Sequence, residues 1–445
     1  MGEVLDLAEK LWRGEEDTYS NHPFGPPLGI EKVAEATYFY KGFANTIIRE
    51  TDDGLIMVDP GAVWDCGIKK EAVRTVTGQR LDTAVYTHGH VDHVYGVGLY
   101  KEEAQEKGWS PPIVMAHEAL PPRFRRYAET LRWNGVINIR QFRGGSGELG
   151  FPGEYYYPDI TYTDRMDISV GGVSALLRHS RGETDDHTWV FFPDTKVLCT
   201  GDLFIWSIPN GGNPQKVQRY AKDWAIGLRR MQALEPEVLL PGHGWPIIGA
   251  DRVRQALDDT AAFMESLHGQ TIDLMNEGAS LDRIIHAIKG PAELLEKPYL
   301  QPVYDETEFI VRNIYRLYGG WYDGTPTHLK PAPEKAQAEE IVRLAGGADK
   351  LIERAEELAD AGDLRMACHL AEWAHAAAPD DSEIGKRGGL IFEARARAEP
   401  STMAMGIFIA AAREMAGDIV DKSLDHGIFV VQADRGRASK ACINI

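Results

Sequence analysis

Hydrophobic and polar positions alternate in two textures along the chain. From residue 38 onward, short apolar runs with β-branched and aromatic character recur at turn signals, the pattern of strands. Residues 38–40 and 45–48 are two such runs. Asp52-Asp53-Gly54 supplies a hairpin turn, and Leu55-Ile56-Met57-Val58-Asp59 reads as a buried strand ending in an acid. Residues 83–87 form a further strand. Residues 156–178 read as strands turning at Gly171-Gly172, and 188–192 and 197–200 as a hairpin around Pro193-Asp194. Val238-Leu239-Leu240 is a strand that ends at Pro241-Gly242-His243. Helical periodicity is predicted over 68–80, 97–107, 119–132 and 215–234, and it dominates 251–290 and 304–318. Strands and helices thus intermix up to about residue 250, which predicts a mixed α/β (α+β) domain over 31–330. Residues 1–30, rich in polar residues, Pro and Gly, read as an arm lying on the surface of something else.

The second texture begins after Lys330-Pro331-Ala332-Pro333, where Ala, Glu, Leu and Arg take over. Residues 334–398 read as several helices. Within them 351–358, a turn at Ala361-Gly362-Asp363, and 366–378 resemble one tetratricopeptide hairpin. Such a hairpin cannot cover its own apolar face. Residues 331–400 are therefore expected to be an all-helical module that mediates a homodimer, the rival being a helical appendage folded on its own chain. Residues 401–445 read as a tail, frayed over 439–445.

Charge narrows the function classes. Lys and Arg number 48 against 67 Asp and Glu, for a net charge of −19 over 445 residues. A general nucleic-acid binder needs a basic surface, so that class is excluded as an expectation. An anionic substrate would need a local positive site, such as a metal. The four cysteines are widely spaced and contain no CxxC pair, so no cysteine metal site is readable. The acidic opening Met1–Asp6 has no apolar signal region, and the longest apolar stretch, 403–412, is too short to span a bilayer. A cytoplasmic protein without a membrane span is expected.

The chemistry concentrates in Thr87-His88-Gly89-His90-Val91-Asp92-His93, which follows a predicted strand and precedes a helix. Imidazole nitrogens and carboxylate oxygens are the usual ligands of zinc and similar divalent ions. A strand-to-helix turn aims His88 and His90 to one side and brings Asp92 and His93 in one turn later, which supports two adjacent metals. Isolated histidines such as His117, His268 and His375 carry no such signal.

Together with Val58-Asp59-Pro60-Gly61, this segment resembles the metallo-β-lactamase superfamily. The resemblance implies an αββα sandwich with metals at one edge, and three further ligands from downstream loops. Arg181-Gly182-Glu183-Thr184 offers Glu183 where most members have histidine, with His179 and His187 as alternatives; Thr200-Gly201-Asp202 and Pro241-Gly242-His243-Gly244 offer the other two. The glutamate points to the alkyl sulfatases. That likeness continues through Trp245-Pro246, 312–324 and 345–349 and covers roughly residues 35–400. The sterol-carrier-like third domain of that branch is not expected within these residues. One segment departs from the branch: Asn210, Asn213, Lys216 and Arg219 stand where the sulfate-holding stretch is expected, without its motif, and are the candidate substrate-binding residues.

The resemblance implies two divalent ions, zinc expected, and a metal-bound hydroxide as nucleophile. It assigns His88, His90 and Glu183 to one ion, Asp92, His93 and His243 to the other, and Asp202 as the bridge. Asp92 and Asp202 are the carboxylates expected to be catalytic, Asp92 by orienting the hydroxide. Asp59 is expected to fix a ligand histidine from behind. Trp133, Phe204, Trp206 and Trp245 are candidates for an apolar substrate wall. The function implied is hydrolysis of an alkyl sulfate or related ester, an anionic small molecule with an apolar part. The rivals are a lactonase, thioesterase or phosphoester hydrolase, an iron-dependent oxidoreductase, and a non-catalytic scaffold; the last should have lost ligands, and no ligand position is empty.

Overall fold

The computed structural model describes residues 2–142 and 152–416. Two sheets form its centre. The first runs in spatial order β1 (Gly29–Ala34), β2 (Thr37–Lys41), β3 (Thr46–Thr51), β4 (Gly54–Val58), β5 (Leu81–Val85), β6 (Ile113–His117) and β7 (Ile160–Tyr162). Its first four strands are antiparallel hairpins and β4 to β7 are parallel. The second contains β8 (Arg165–Val170), β9 (Val173–His179), β10 (Thr188–Phe192), β11 (Val197–Gly201), β12 (Val238–Pro241) and β13 (Ile247–Ile248), again as spatial neighbours in that order. It is antiparallel except for the β11–β12 pair.

Side-chain alternation decides the layering. In β4, Ile56 and Val58 join the core shared with the second sheet, and Leu55 and Met57 face outward. The outward face is covered by Val73 of the helix Cys66–Val76, Val97 and Tyr100 of Val97–Lys107, and Leu120 and Phe124 of Leu120–Glu129. On the other side, Trp224 and Leu228 of the helix Ala221–Gln232 and Phe263 and Leu267 of Ala250–Asn276 close over β10 to β12. The result is the helix–sheet–sheet–helix sandwich expected, followed by a helical region.

Three boundaries differ from the sequence reading. The supposed arm holds a helix, Glu3–Arg13, whose Val4, Ala8 and Leu11 sit on one face and enter the main core; polar composition masked a narrow apolar stripe. The helix expected over 215–234 starts only at Ala221; before it, the Gln215 N–H is capped by Asn213 Oδ1, and Lys216 and Arg219 reach out to Asn138 and the Glu183 carbonyl. The supposed tail also holds a helix, Thr402–Ala416, packed on Ser382–Arg397 and on Leu131–Gln141. Residues 417–445 of that tail, with its frayed end, lie outside the described residues.

The tetratricopeptide-like hairpin is present as Ala348–Asp360 and Leu364–Ala377, and it is not alone. Ile384, Ile391 and Phe392 of the next helix and Ala412 of the last complete a separate small core with Leu351, Ile352, Ala355 and Ala371. Among the described residues, no helix is long and apolar enough to cross a membrane.

Candidate metal centre

Every candidate ligand lies where a strand runs out at one edge of the sandwich. Asp59 follows β4. His88, His90, Asp92 and His93 lie in the loop between β5 and the helix Val97–Lys107. Glu183 is in the β9–β10 loop, Asp202 follows β11 and His243 follows β12. Loops at strand ends can converge on a point because the sheets fix their roots.

They converge in two groups. His88, His90, Glu183 and Asp202 each offer a ligand atom within 4.8 Å of the others, and so do Asp92, His93 and His243. His88 Nε2 lies 3.7 Å from both Glu183 Oε2 and Asp202 Oδ2, and His90 Nδ1 lies 3.6 Å from Glu183 Oε1. His243 Nε2 is 3.4 Å from Asp92 Oδ2 and 3.2 Å from Asp202 Oδ2, and His93 Nε2 is 3.4 Å from Asp92 and Asp202. Asp202 therefore faces both groups. Its position depends on Gly242, where a Cβ would stand 2.0 Å from Asp202 Oδ1.

Hydrogen bonds behind the histidines set their tautomers. Thr87 Oγ1 donates to Asp59 Oδ2 at 2.7 Å, so it accepts from His88 Nδ1 at 2.9 Å and leaves Nε2 as an acceptor, which meets His90 Nδ1 at 2.8 Å. His93 Nδ1 donates to Asp59 Oδ2 at 2.8 Å, and His243 Nδ1 donates to the Phe43 carbonyl at 2.5 Å. Three imidazoles thus turn Nε2 inward. Asn45 anchors the His243 loop, donating through Nδ2 to the Pro241 and Gly244 carbonyls.

The electrostatics fit a cation. His93 Nε2, Glu183 Oε2 and Asp202 Oδ1 are buried without a hydrogen-bond partner among the described residues. Burial opposes protonation of His243 and His93, yet Asp202 and Asp92 outweigh it, raising His243 to about 9 and His93 well above the usual histidine range. Burial, helped by nearby positive groups, holds His88 and His90 well below that range. Burial and the Asp202 carboxylate push Glu183 upward against Arg219. Protons thus stand in for positive charge that the donor set invites. The residues present fit divalent metal ions, and the chain is a metal-binding protein.

The other sequence candidates are distributed differently from expectation. Asn210 and Arg219 do not line an open cleft. They are buried, and both turn to Glu183: Asn210 Nδ2 donates to its Oε1, and Arg219 Nη1 donates to its backbone carbonyl. Asn213 Nδ2 donates to Gln141 Oε1 at 3.1 Å, and Lys216 Nζ to Asn138 Oδ1 at 3.1 Å. Phe204, Trp206 and Trp245 belong to the main core, and Trp133 is 55% exposed. The apolar wall beside His243 is made instead by Phe24, 4.2 Å from its ring, by Phe43 at 5.5 Å, and by Tyr304, 4.4 Å from Phe24. Of the alternatives to Glu183, His179 stacks on His117 at 3.7 Å, and His187 accepts from the Asp202 backbone N–H at 3.1 Å. Sequence reasoning missed Phe24, Tyr304 and Gln141, because single aromatic and amide residues far apart in the chain carry no local signal.

Residues 40–243 match the family model of the metallo-beta-lactamase superfamily, and residues 280–418 match that of alkyl sulfatase dimerisation. Residues 40–243 are thus a metallo-β-lactamase superfamily domain, and the two matches together support the alkyl sulfatase-like branch of that superfamily. It is 29% identical over 351 residues to a linear primary-alkylsulfatase of Pseudomonas sp. (strain ATCC 19151), covering 75% of this chain and 66% of that protein. It is 27% identical over 372 residues to an (R)-specific secondary-alkylsulfatase of Pseudomonas sp, covering 77% and 56%. The solved structure of the stereoselective inverting sec-alkylsulfatase Pisa1 from Pseudomonas sp. shares the fold, with a TM-score of 0.77 at 23% identity over 87% of this chain and 66% of that one. The chain spans 66% or less of the length of each of these relatives.

Proposed function

We propose that the protein is a two-metal hydrolase of alkyl sulfate esters, with zinc as the ion at both positions. The observation that carries this reading is the pair of ligand groups with Asp202 facing both. His88, His90 and Glu183 would hold one ion and Asp92, His93 and His243 the other, with Asp202 facing both groups. Bound there, the ions would supply Lewis acidity and an acidified water. Asp92 is the most exposed carboxylate of the set, its side chain 15% exposed against 1% for Glu183 and 6% for Asp202. Water arriving from solvent meets it first, and Asp92 accepts the hydrogen bond that orients that water.

The substrate's two parts have separate supports. The aromatic wall of Phe24, Phe43 and Tyr304 beside His243 takes the alkyl part by excluding water from it. Lys216, near Asn138, receives the anionic head; burial and neighbouring Arg219 lower its amine to about 7. The names of the relatives support sulfate as that head. We further propose a homodimer built on residues 280–418, supported by the dimerisation model matched there and by Trp321 and Leu344, 72% and 80% exposed.

Metal-loaded protein offered a medium-chain alkyl sulfate, the matching phosphate, a thioester and a lactone tests the reading. Sulfate release with turnover on the sulfate at least about tenfold above the others is expected. Turnover confined to the phosphate, thioester or lactone would overturn it.

A further inference from the structure

We propose that Arg219 and Asn210 are positioning residues for Glu183: together they hold its Oε1 and leave Oε2, on the side of His88 Nε2, as the oxygen for an ion. This rests on the two-metal reading above. Glu183 is 1% exposed and shares its pocket with Asp202, so two carboxylates meet in a small buried volume. An uncompensated buried charge is costly, and a guanidinium with its planar fork is suited to balancing one. Arg219 is itself buried, with its side chain 1% exposed. Nη1 donates to the Glu183 carbonyl while Nη2 lies 3.6 Å from Glu183 Oε1. One guanidinium therefore engages both the backbone and the side chain of the same residue.

Asn210 acts on the same oxygen, donating through Nδ2 to Oε1. The two oxygens of Glu183 become inequivalent. Oε1 is engaged by an amide, approached by a cation and 3.6 Å from His90 Nδ1, whereas Oε2 is buried without a partner among the described residues and lies 3.7 Å from His88 Nε2. Oε2 is the oxygen left for a metal. Arg219 is held in place by its flanks: the Tyr220 backbone N–H donates to the Gly182 carbonyl at 2.9 Å, and Gln218 Nε2 donates to the Arg219 carbonyl at 2.8 Å. The segment before the helix Ala221–Gln232 is thereby bound to the loop that carries Glu183.

The test is a double-mutant cycle read as zinc affinity of the full chain by competition with a chromophoric chelator. Wild type is expected to hold two ions. Arg219→Gln should weaken one of the two by about 10–100-fold, the usual effect of losing a support behind a ligand, and leave the other unchanged. In a Glu183→Gln background the same substitution should change affinity by less than about twofold. Arg219→Lys, which keeps the charge, should recover part of the loss, and Asn210→Ala should weaken the same ion; these two serve if Arg219→Gln does not fold. Unchanged zinc affinity in Arg219→Gln with a raised KM for the ester would overturn the proposal and make Arg219 a substrate contact. An equal loss in both backgrounds would also overturn it. If wild type holds no ion, the two-metal reading fails first and this one with it; two ions in wild type with no loss in the variants would sink this inference alone.

Discussion

Asp59 accepts a hydrogen bond from Nδ1 of His93 at 2.8 Å across 34 residues of chain. Its backbone takes a left-handed φ of 57°, and its carboxylate also receives the Thr87 N–H and hydroxyl at 2.7 Å each. One acid at the end of β4 thus sets the tautomer of His93 directly and that of His88 through Thr87. Asp59→Ala is expected to lower zinc affinity by about 10–100-fold, with Asp59→Asn less affected because asparagine tolerates the same backbone. Chelator competition on the three proteins checks this.

The place of Asp202 depends on an absent side chain. Gly242→Ala would put a methyl group 2.0 Å from Asp202 Oδ1 and 2.7 Å from the Gly201 carbonyl carbon, neither of which can retreat without moving the loop after β11. A displacement of about 1 Å in catalytic machinery typically costs about a hundredfold. Turnover of Gly242→Ala is expected to fall by about that factor, with the far-ultraviolet circular dichroism retained. Gly278, with nothing within 4 Å of its Cβ position, is the control for the same substitution in an open place, although its φ of +78° adds a small backbone strain.

Metal and protons compete for the same nitrogens. Without metal, Asp202 and Asp92 raise His243 to about 9 against the effect of burial, and they raise His93 as well. Both imidazoles are then protonated at pH 7 and must lose those protons to coordinate an ion. Zinc affinity is therefore expected to rise with pH between 6 and 8, by about tenfold per pH unit for each proton displaced. Calorimetric titration in buffers of different ionisation enthalpy counts the protons released; none released at pH 7 would contradict the assignment.

A buried acid outside the centre gives a stability signature. Asp305 accepts the Gly212 N–H at 2.6 Å and the Glu306 N–H at 2.7 Å, and burial raises its carboxyl to about 7. The folded value lies above the unfolded value of about 3.9. The native state therefore favours the protonated acid. Its stabilisation is full below about pH 4 and is lost as pH rises through about 7. Asp305→Asn should remove this contribution, so the variant's urea midpoint should gain on wild type between pH 5 and pH 8.

Much of this was legible in the sequence, and for a physical reason. The strands around the site are continuous apolar runs that end at a residue of the site: Val58 before Asp59, which backs a ligand, and Gly201 before Asp202 and Pro241 two residues before His243, which are candidate ligands. A strand end and a costly polar residue coincide, and both signals are local. The histidine loop is likewise a local pattern of donors. The apolar stripe of the first helix was obscured by the Glu, Asp and Lys around Val4, Ala8 and Leu11. The turning of Asn210 and Arg219 toward Glu183 was not legible at all, because a buried arginine and a solvated one look the same until the partner loop is in place. The Phe43 carbonyl behind His243 belongs to the backbone and leaves no trace in residue type.

The most direct measurement of the central claim is anomalous diffraction from crystals grown with zinc, recorded on both sides of its absorption edge. Two peaks are expected, one among His88, His90 and Glu183 and one among Asp92, His93 and His243, with Asp202 reaching both. A single peak, or two peaks with Glu183 turned away from the ion, would contradict it.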